Sequence, residues 1–151
     1  MTTDHLLSMD QPRFIAYVRE QYAGLCDQSW SADQWEMQIS IGPGWHALVD
    51  ECLSRITNRL GEEGVKLISI RQIKEKFGSL RCYVMPIDGT ELPDDLSLSL
   101  HAIRDDIERR SAITCEVCGQ PGSTRRDHGY HVTLCDIHLT ERIARRRGDS
   151  K

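Results

Sequence analysis

Cys115-Glu-Val-Cys118-Gly119 and, further along, Leu134-Cys135-Asp-Ile-His138 are the residues of this chain whose types and spacing are best suited to chemistry. Two Cys-x-x-Cys/His pairs can close four ligands around one ion. Thiolate and imidazole together suit tetrahedral Zn²⁺, and a site filled entirely by protein ligands is structural, because catalysis needs an open position. The spacing therefore predicts one structural zinc per chain on Cys115, Cys118, Cys135 and His138. Reduced cysteines without a metal would leave a short finger with too little core to fold. A redox Cys-x-x-Cys pair would account for neither Cys135 nor His138. His128 and His131 are alternatives to His138 as the fourth ligand.

Other chemistry leaves few traces. The chain has no Gly-rich phosphate loop, no Gly-x-Ser-x-Gly elbow and no His-Glu-x-x-His helix. Glu62-Glu63, Asp94-Asp95 and Asp105-Asp106 are adjacent pairs, and neighbours on a helix point about 100° apart, so they read as solvated faces. The expectation is a protein without enzymatic activity.

The elements that must position the four ligands are legible in the hydrophobic pattern. Pro12 opens a helix that ends near Gly24 and Leu25, after a polar, loose stretch over residues 1–10. Residues 35–41 alternate apolar and polar, which predicts a half-buried strand broken by Gly42-Pro43-Gly44. Trp45, Leu48, Val49, Cys52, Ile56 and Leu60 line one helical face, with Gly61 as its stop. Residues 65–73 and 80–85 read as two strands joined as a hairpin. Residues 87–95 read as a loop. Leu96, Leu100, Ile103 and Ile107 mark a helix reaching about Ser111. His46 and His101 lie in helices and read as surface or boundary residues. Cys26, Cys52 and Cys82 sit in apolar patterns, where a free Cys behaves as a small hydrophobe. The fold class is α+β: a small, mainly antiparallel sheet packed by helices over residues 1–112, with a C-terminal zinc finger over residues 113–147 packed against it.

Three resemblances follow from these motifs. A Cys115-x-x-Cys118-Gly119 knuckle, a hairpin ending at Leu134 and a helix carrying Cys135 and His138 resemble the treble-clef group of zinc folds. Asp127-His128 resembles the start of the His-Asn-His nucleases, in which the His is a general base and a downstream Asn and His hold a cation. No Asn follows Asn58, however, so the chain departs from that pattern. The segment Ile73-Lys-Glu-Lys-Phe77-Gly78-Ser-Leu80-Arg81-Cys-Tyr83-Val, taken with Cys-Glu-x-Cys-Gly and Leu-Cys-x-x-His, resembles a group of small uncharacterised bacterial and prophage-encoded proteins over roughly residues 45–139. That resemblance implies a phage or prophage accessory role exercised through protein contacts, and the acidic body equally allows an immunity-type one.

Charge separates the partner classes. Residues 1–114 carry 12 Lys/Arg against 18 Asp/Glu, a balance of −6, while residues 115–151 carry 7 against 5, or +2. An acidic body disfavours broad nucleic-acid binding, whereas Arg125, Arg126, Arg142, Arg145 and Arg146 concentrate positive charge at one end, where they can engage phosphate or simply solvate a helix terminus. Lys74, Lys76 and Arg81 flank the Phe77-Gly78 turn and offer a contact for an acidic or phosphate-bearing partner. The plainer alternative is a solvated turn with Phe77 folded back onto the core. No apolar run reaches membrane-spanning length, and the start lacks the features of a secretory signal. With ligand-spaced cysteines and no disulfide pattern, the expectation is a cytoplasmic protein.

Overall fold

The structure is a computed structural model and describes residues 2–149. In chain order the elements are α1 (Thr3–Leu7), α2 (Gln11–Gln21), α3 (Ala32–Gln38), β1 (Ile39–Ser40), α4 (His46–Val65), β2 (Ile68–Lys76), β3 (Ser79–Pro86), α5 (Asp94–Ser111), β4 (Ser123–Asp127), β5 (Tyr130–Leu134) and α6 (Asp136–Asp149). One sheet has the order β1-β2-β3, with β1 parallel and β3 antiparallel to β2; β4 and β5 form a separate antiparallel ribbon. The protein is thus α+β with two small, mostly antiparallel sheets. No helix among the described residues is long and apolar enough to cross a membrane.

Two expectations near the N-terminus are overturned. Residues 1–10, read as loose, contain α1, which Thr2 caps by accepting the His5 N–H. Leu6 is buried, and its carbonyl accepts a 2.8 Å hydrogen bond from Nδ1 of His46. The strand expected over residues 35–41 is mostly helix. Ser31 and Gln34 close a reciprocal capping box that starts α3. Trp35 and Ile39 are then one helical turn apart and both buried, while Met37 faces solvent. Only Ile39 and Ser40 extend the sheet, opposite Ile73 and Lys74. Four alternating apolar residues fit a helical turn followed by a bridge as well as a strand.

The rest follows the pattern more closely. Gly61 does break α4, adopting φ 72° and ψ 178°, but the chain resumes helical geometry as far as Val65. The β2–β3 hairpin turns on Phe77 (φ 54°) and Gly78 (φ 82°), the left-handed pair of a type I′ connection. α4 and α5 pack together through Val49, Leu53, Ile56, Leu100, Ile103 and Ile107. At their surface Arg55 bridges Glu51 (3.2 Å) and Asp106 (2.6 Å), and Arg110 closes the ring onto the same two carboxylates. Those guanidiniums hold both carboxyls below their usual range. Cys52 and Cys82 lie in the core, as their apolar settings predict.

His46, expected at a boundary, is instead 1% exposed and stacks on Phe14 with ring centroids 3.8 Å apart. A carbonyl can only accept, so Nδ1 is the donor and carries a proton. Burial pushes its pKa below the ordinary value, with the Leu6 carbonyl pulling the other way. An imidazole that resists protonation in the folded state, yet protonates freely when unfolded, makes the unfolded chain the better proton acceptor. Its stabilising contribution is complete above the unfolded value of about 6.5 and is lost as pH falls through the lower folded value. Melting of the zinc-saturated protein is therefore expected to weaken as pH drops from about 7 to 5. The His46→Gln variant should lose that slope, and an unchanged slope would show that His46 does not titrate with unfolding.

Candidate metal centre

The C-terminal module begins where α5 ends. A bridge between Thr114 and Pro121, with Cys115 N–H donating to Gln120 O (2.8 Å) and Gly119 N–H to Cys115 O (2.9 Å), folds residues 114–121 into the knuckle. Gly119 stands at φ 76°, a conformation open to glycine at little cost. Glu116 N–H donates to Thr133 O (3.0 Å), tying the knuckle to β5. β5 then delivers Cys135, whose carbonyl accepts the Leu139 N–H at 2.9 Å and so opens α6, with His138 on its first turn.

The outcome is a cluster of Cys115, Cys118, Cys135 and His138 whose ligand atoms all lie within 4.8 Å of one another. The individual separations are 3.9 Å for Cys118 Sγ to Cys135 Sγ, 3.6 Å for Cys115 Sγ to His138 Nδ1, and 3.1 Å for Cys135 Sγ to His138 Nδ1. A tetrahedron with metal–sulfur bonds of about 2.3 Å has edges of about 3.8 Å, so the four donors fit a tetrahedral ion. Nδ1 of His138 faces the thiols, and Nε2 lies 3.8 Å from the Glu141 carboxylate.

Burial pushes the Cys115 thiol up, but backbone N–H groups of Cys135, Cys118 and Val117 outweigh it and bring the pKa down to about 7. Burial, with the neighbouring sulfurs, raises Cys118 to about 11. One thiolate is thus favoured before any metal arrives, and a cation supplies what the second needs. Among the described residues, Val132 and Leu134 are the buried apolar side chains packed on the cluster, with Leu139 partly so.

The module is seated on the body by residues whose role the sequence pattern did not disclose. Gly42-Pro43-Gly44, read as a strand breaker, lies flat against the knuckle: Gly44 N–H donates to Glu116 O at 2.9 Å. The indole of the fully buried Trp45 donates to Thr114 O at 2.8 Å. A Cβ on Gly44 would stand 2.6 Å from Gly119 N and 2.7 Å from the Glu116 carbonyl carbon, and one on Gly42 would strike Glu116 O. Opposite this seat, Thr133 Oγ1 donates to Gly78 O and approaches Thr124 Oγ1 at 2.9 Å, locking the β2–β3 turn onto the ribbon. The spacing Gly-x-Gly before an aromatic was the available signal, since close backbone approach requires glycine.

His128 occupies the exposed β4–β5 turn, at φ 50° and followed by Gly129, with Nδ1 3.3 Å from Asp127 Oδ1. His131 stands edge-on to Phe77 at 6.0 Å. Among the described residues His138, and neither of these, completes the cluster. Asp127, the neighbour that prompted the nuclease comparison, is clasped by Arg142 (2.9 Å) and Arg146 from α6.

The predicted contact residues divide into two groups. Arg142 and Arg146 are held by Asp127, Arg125 pairs with Asp136 at 2.6 Å, and Arg81 turns from the hairpin tip to Glu108 at 3.1 Å. Lys74, Lys76, Arg126 and Arg145 make no ion pair among the described residues. Phe77 does not fold back onto the core: it is 67% exposed, because both turn positions are left-handed and the side chain is carried outward.

Gly44→Ala tests the seat. Displacing the knuckle backbone is expected to cost about 1–3 kcal/mol and to lower metal affinity together with the melting temperature. Gly148→Ala, which meets nothing within 4 Å, serves as the control; equal behaviour of the two would remove the seat from the account. No protein-family model matches this chain, and no curated protein or solved structure shows significant similarity to it.

Proposed function

We propose that the protein is a non-enzymatic binding protein whose C-terminal module, of treble-clef type, is held together by one structural zinc on Cys115, Cys118, Cys135 and His138. The observation that carries this reading is the four-donor cluster itself, tetrahedral in its spacings and unsupported by a core of any size. Four protein ligands leave no position for a reacting water or substrate, so the ion would shape a surface and take no part in chemistry. Zinc supplies folding energy to modules of this size.

Two surfaces give the module something to bind with. Ile113, Val117 and Ile137 are exposed apolar side chains around the knuckle and the start of α6, and they support a protein partner. A phage or prophage accessory role for that contact rests on the motif resemblance described above, and an immunity-type one on the acidic balance of the body. A second reading, nucleic-acid binding, is favoured by a different observation: aromatic side chains meet Arg126, which makes no ion pair among the described residues, where the β2–β3 turn abuts the ribbon.

Metal content decides the first part. Mass spectrometry of the protein purified without added zinc, native against denatured, is expected to show one zinc released on unfolding. Cys118→Ser should lose it and unfold residues 113–147, while the helical signal of the body is largely kept. Full metal content and unaltered melting in that variant would show the ligand set to be wrong.

A further inference from the structure

Between the β2–β3 turn and the β4–β5 ribbon lies a groove of about 520 Å³ lined by Glu75, Phe77, Glu116, Arg126, Tyr130 and His131. Two of its lining residues, Phe77 and Tyr130, are 67% and 70% exposed. The Lys76 ammonium stands 5.8 Å from the Phe77 ring centroid, and Arg126, directly across the ribbon from His131, makes no ion pair among the described residues. The two carboxylates are each half committed: Glu75 Oε1 accepts the Gly78 N–H at 2.8 Å, and Glu116 Oε2 accepts the Thr133 N–H at 3.3 Å. Each has one oxygen left to accept another donor.

We infer that this groove binds single-stranded nucleic acid, with bases stacked on Phe77 and Tyr130, phosphates met by Lys76 and Arg126, and base amino groups donating to the free carboxylate oxygens of Glu75 and Glu116. The inference rests on the nucleic-acid reading above and names its site and ligand class. Exposed rings are sequence-tolerant stacking platforms, because every base offers a π face. Carboxylates accept from the amino groups of base edges, such as cytosine N4. The mixture of charges selects among anionic occupants. An acidic peptide would carry its carboxylates into Glu75 and Glu116. A nucleotide keeps its phosphate and its donor-bearing base a sugar apart, and so satisfies both signs at once. A duplex hides its base faces and gains nothing from the two rings. The Arg-rich helix is not the anchor, since Asp127 already occupies Arg142 and Arg146.

Fluorescence anisotropy of the full-length, zinc-loaded protein tests this, with labelled oligo-dC, oligo-dT and their RNA counterparts of about 10 nucleotides as probes. A labelled poly-glutamate peptide is the competing occupant. Saturable oligonucleotide binding is expected, tighter for oligo-dC than for oligo-dT, whose bases carry no amino group, and weakened roughly tenfold or more by Phe77→Ala with Tyr130→Ala. Lys76→Ala with Arg126→Ala should weaken it too, and make the log–log salt slope shallower by about 1.4. All four side chains are exposed, and zinc content and melting confirm that each variant remains folded. No saturation by about 100 µM, binding indifferent to these substitutions, or ring-dependent binding of the peptide in place of the oligonucleotides would each overturn the proposal. A chain that holds one zinc but binds no oligonucleotide overturns the groove alone, whereas a chain without zinc overturns the metal reading whatever the anisotropy shows.

Discussion

The contact between the Gly42-Pro43-Gly44-Trp45 loop and the backbone of the Cys115–Gly119 turn is the constraint on which the rest of the structure depends. It joins segments about seventy positions apart through two hydrogen bonds, Gly44 N–H to Glu116 O and Trp45 Nε1 to Thr114 O. Both groups on the body side are buried. Leaving a buried donor unpaired costs about 1–3 kcal/mol, so the interface is specified by polar satisfaction more than by apolar area. Because the approach is backbone to backbone, it fixes the position of Cys115 and Cys118 to within what two glycines permit.

A second set of contacts orients the other half of the ligand cluster. Thr133 grips the carbonyl of Gly78, and Asp127 draws α6 back across the ribbon through Arg142 and Arg146. Cys135 lies between these anchors, at the junction of β5 and α6. The module thus borrows its geometry from the body, the arginine clasp and the four donors, having little core of its own. The same packing brings the Phe77 turn against the ribbon and so creates the groove beside it.

Local periodicity made much of this legible in the sequence. The apolar stripes of α4 and α5, the β2–β3 hairpin with its Phe77-Gly78 turn, and the four ligands all rest on spacings of a few residues, which local physics largely decides. What escaped notice depends on distant partners. Trp35 and Ile39 serve one helical turn where alternation suggested a strand, and the Ser31/Gln34 box that settles the matter lies outside the apolar pattern. His46 is buried because Phe14 and the Leu6 carbonyl await it, neither of which its own helix announces. The arginines of α6 read as able to engage phosphate or to solvate a helix terminus, and the Asp127 partner of Arg142 and Arg146 lies on a strand that their own spacing does not announce.

Trp45 has one more consequence, which concerns cooperativity. Its indole is enclosed by the body, yet its acceptor among the described residues, Thr114 O, lies 69 positions later in the chain. The donor is satisfied only when the segment that enters the knuckle is in place, and an enclosed donor left unpaired is costly. Body and module therefore gain stability together, and an ion held by the four clustered residues would be felt by a tryptophan near the start.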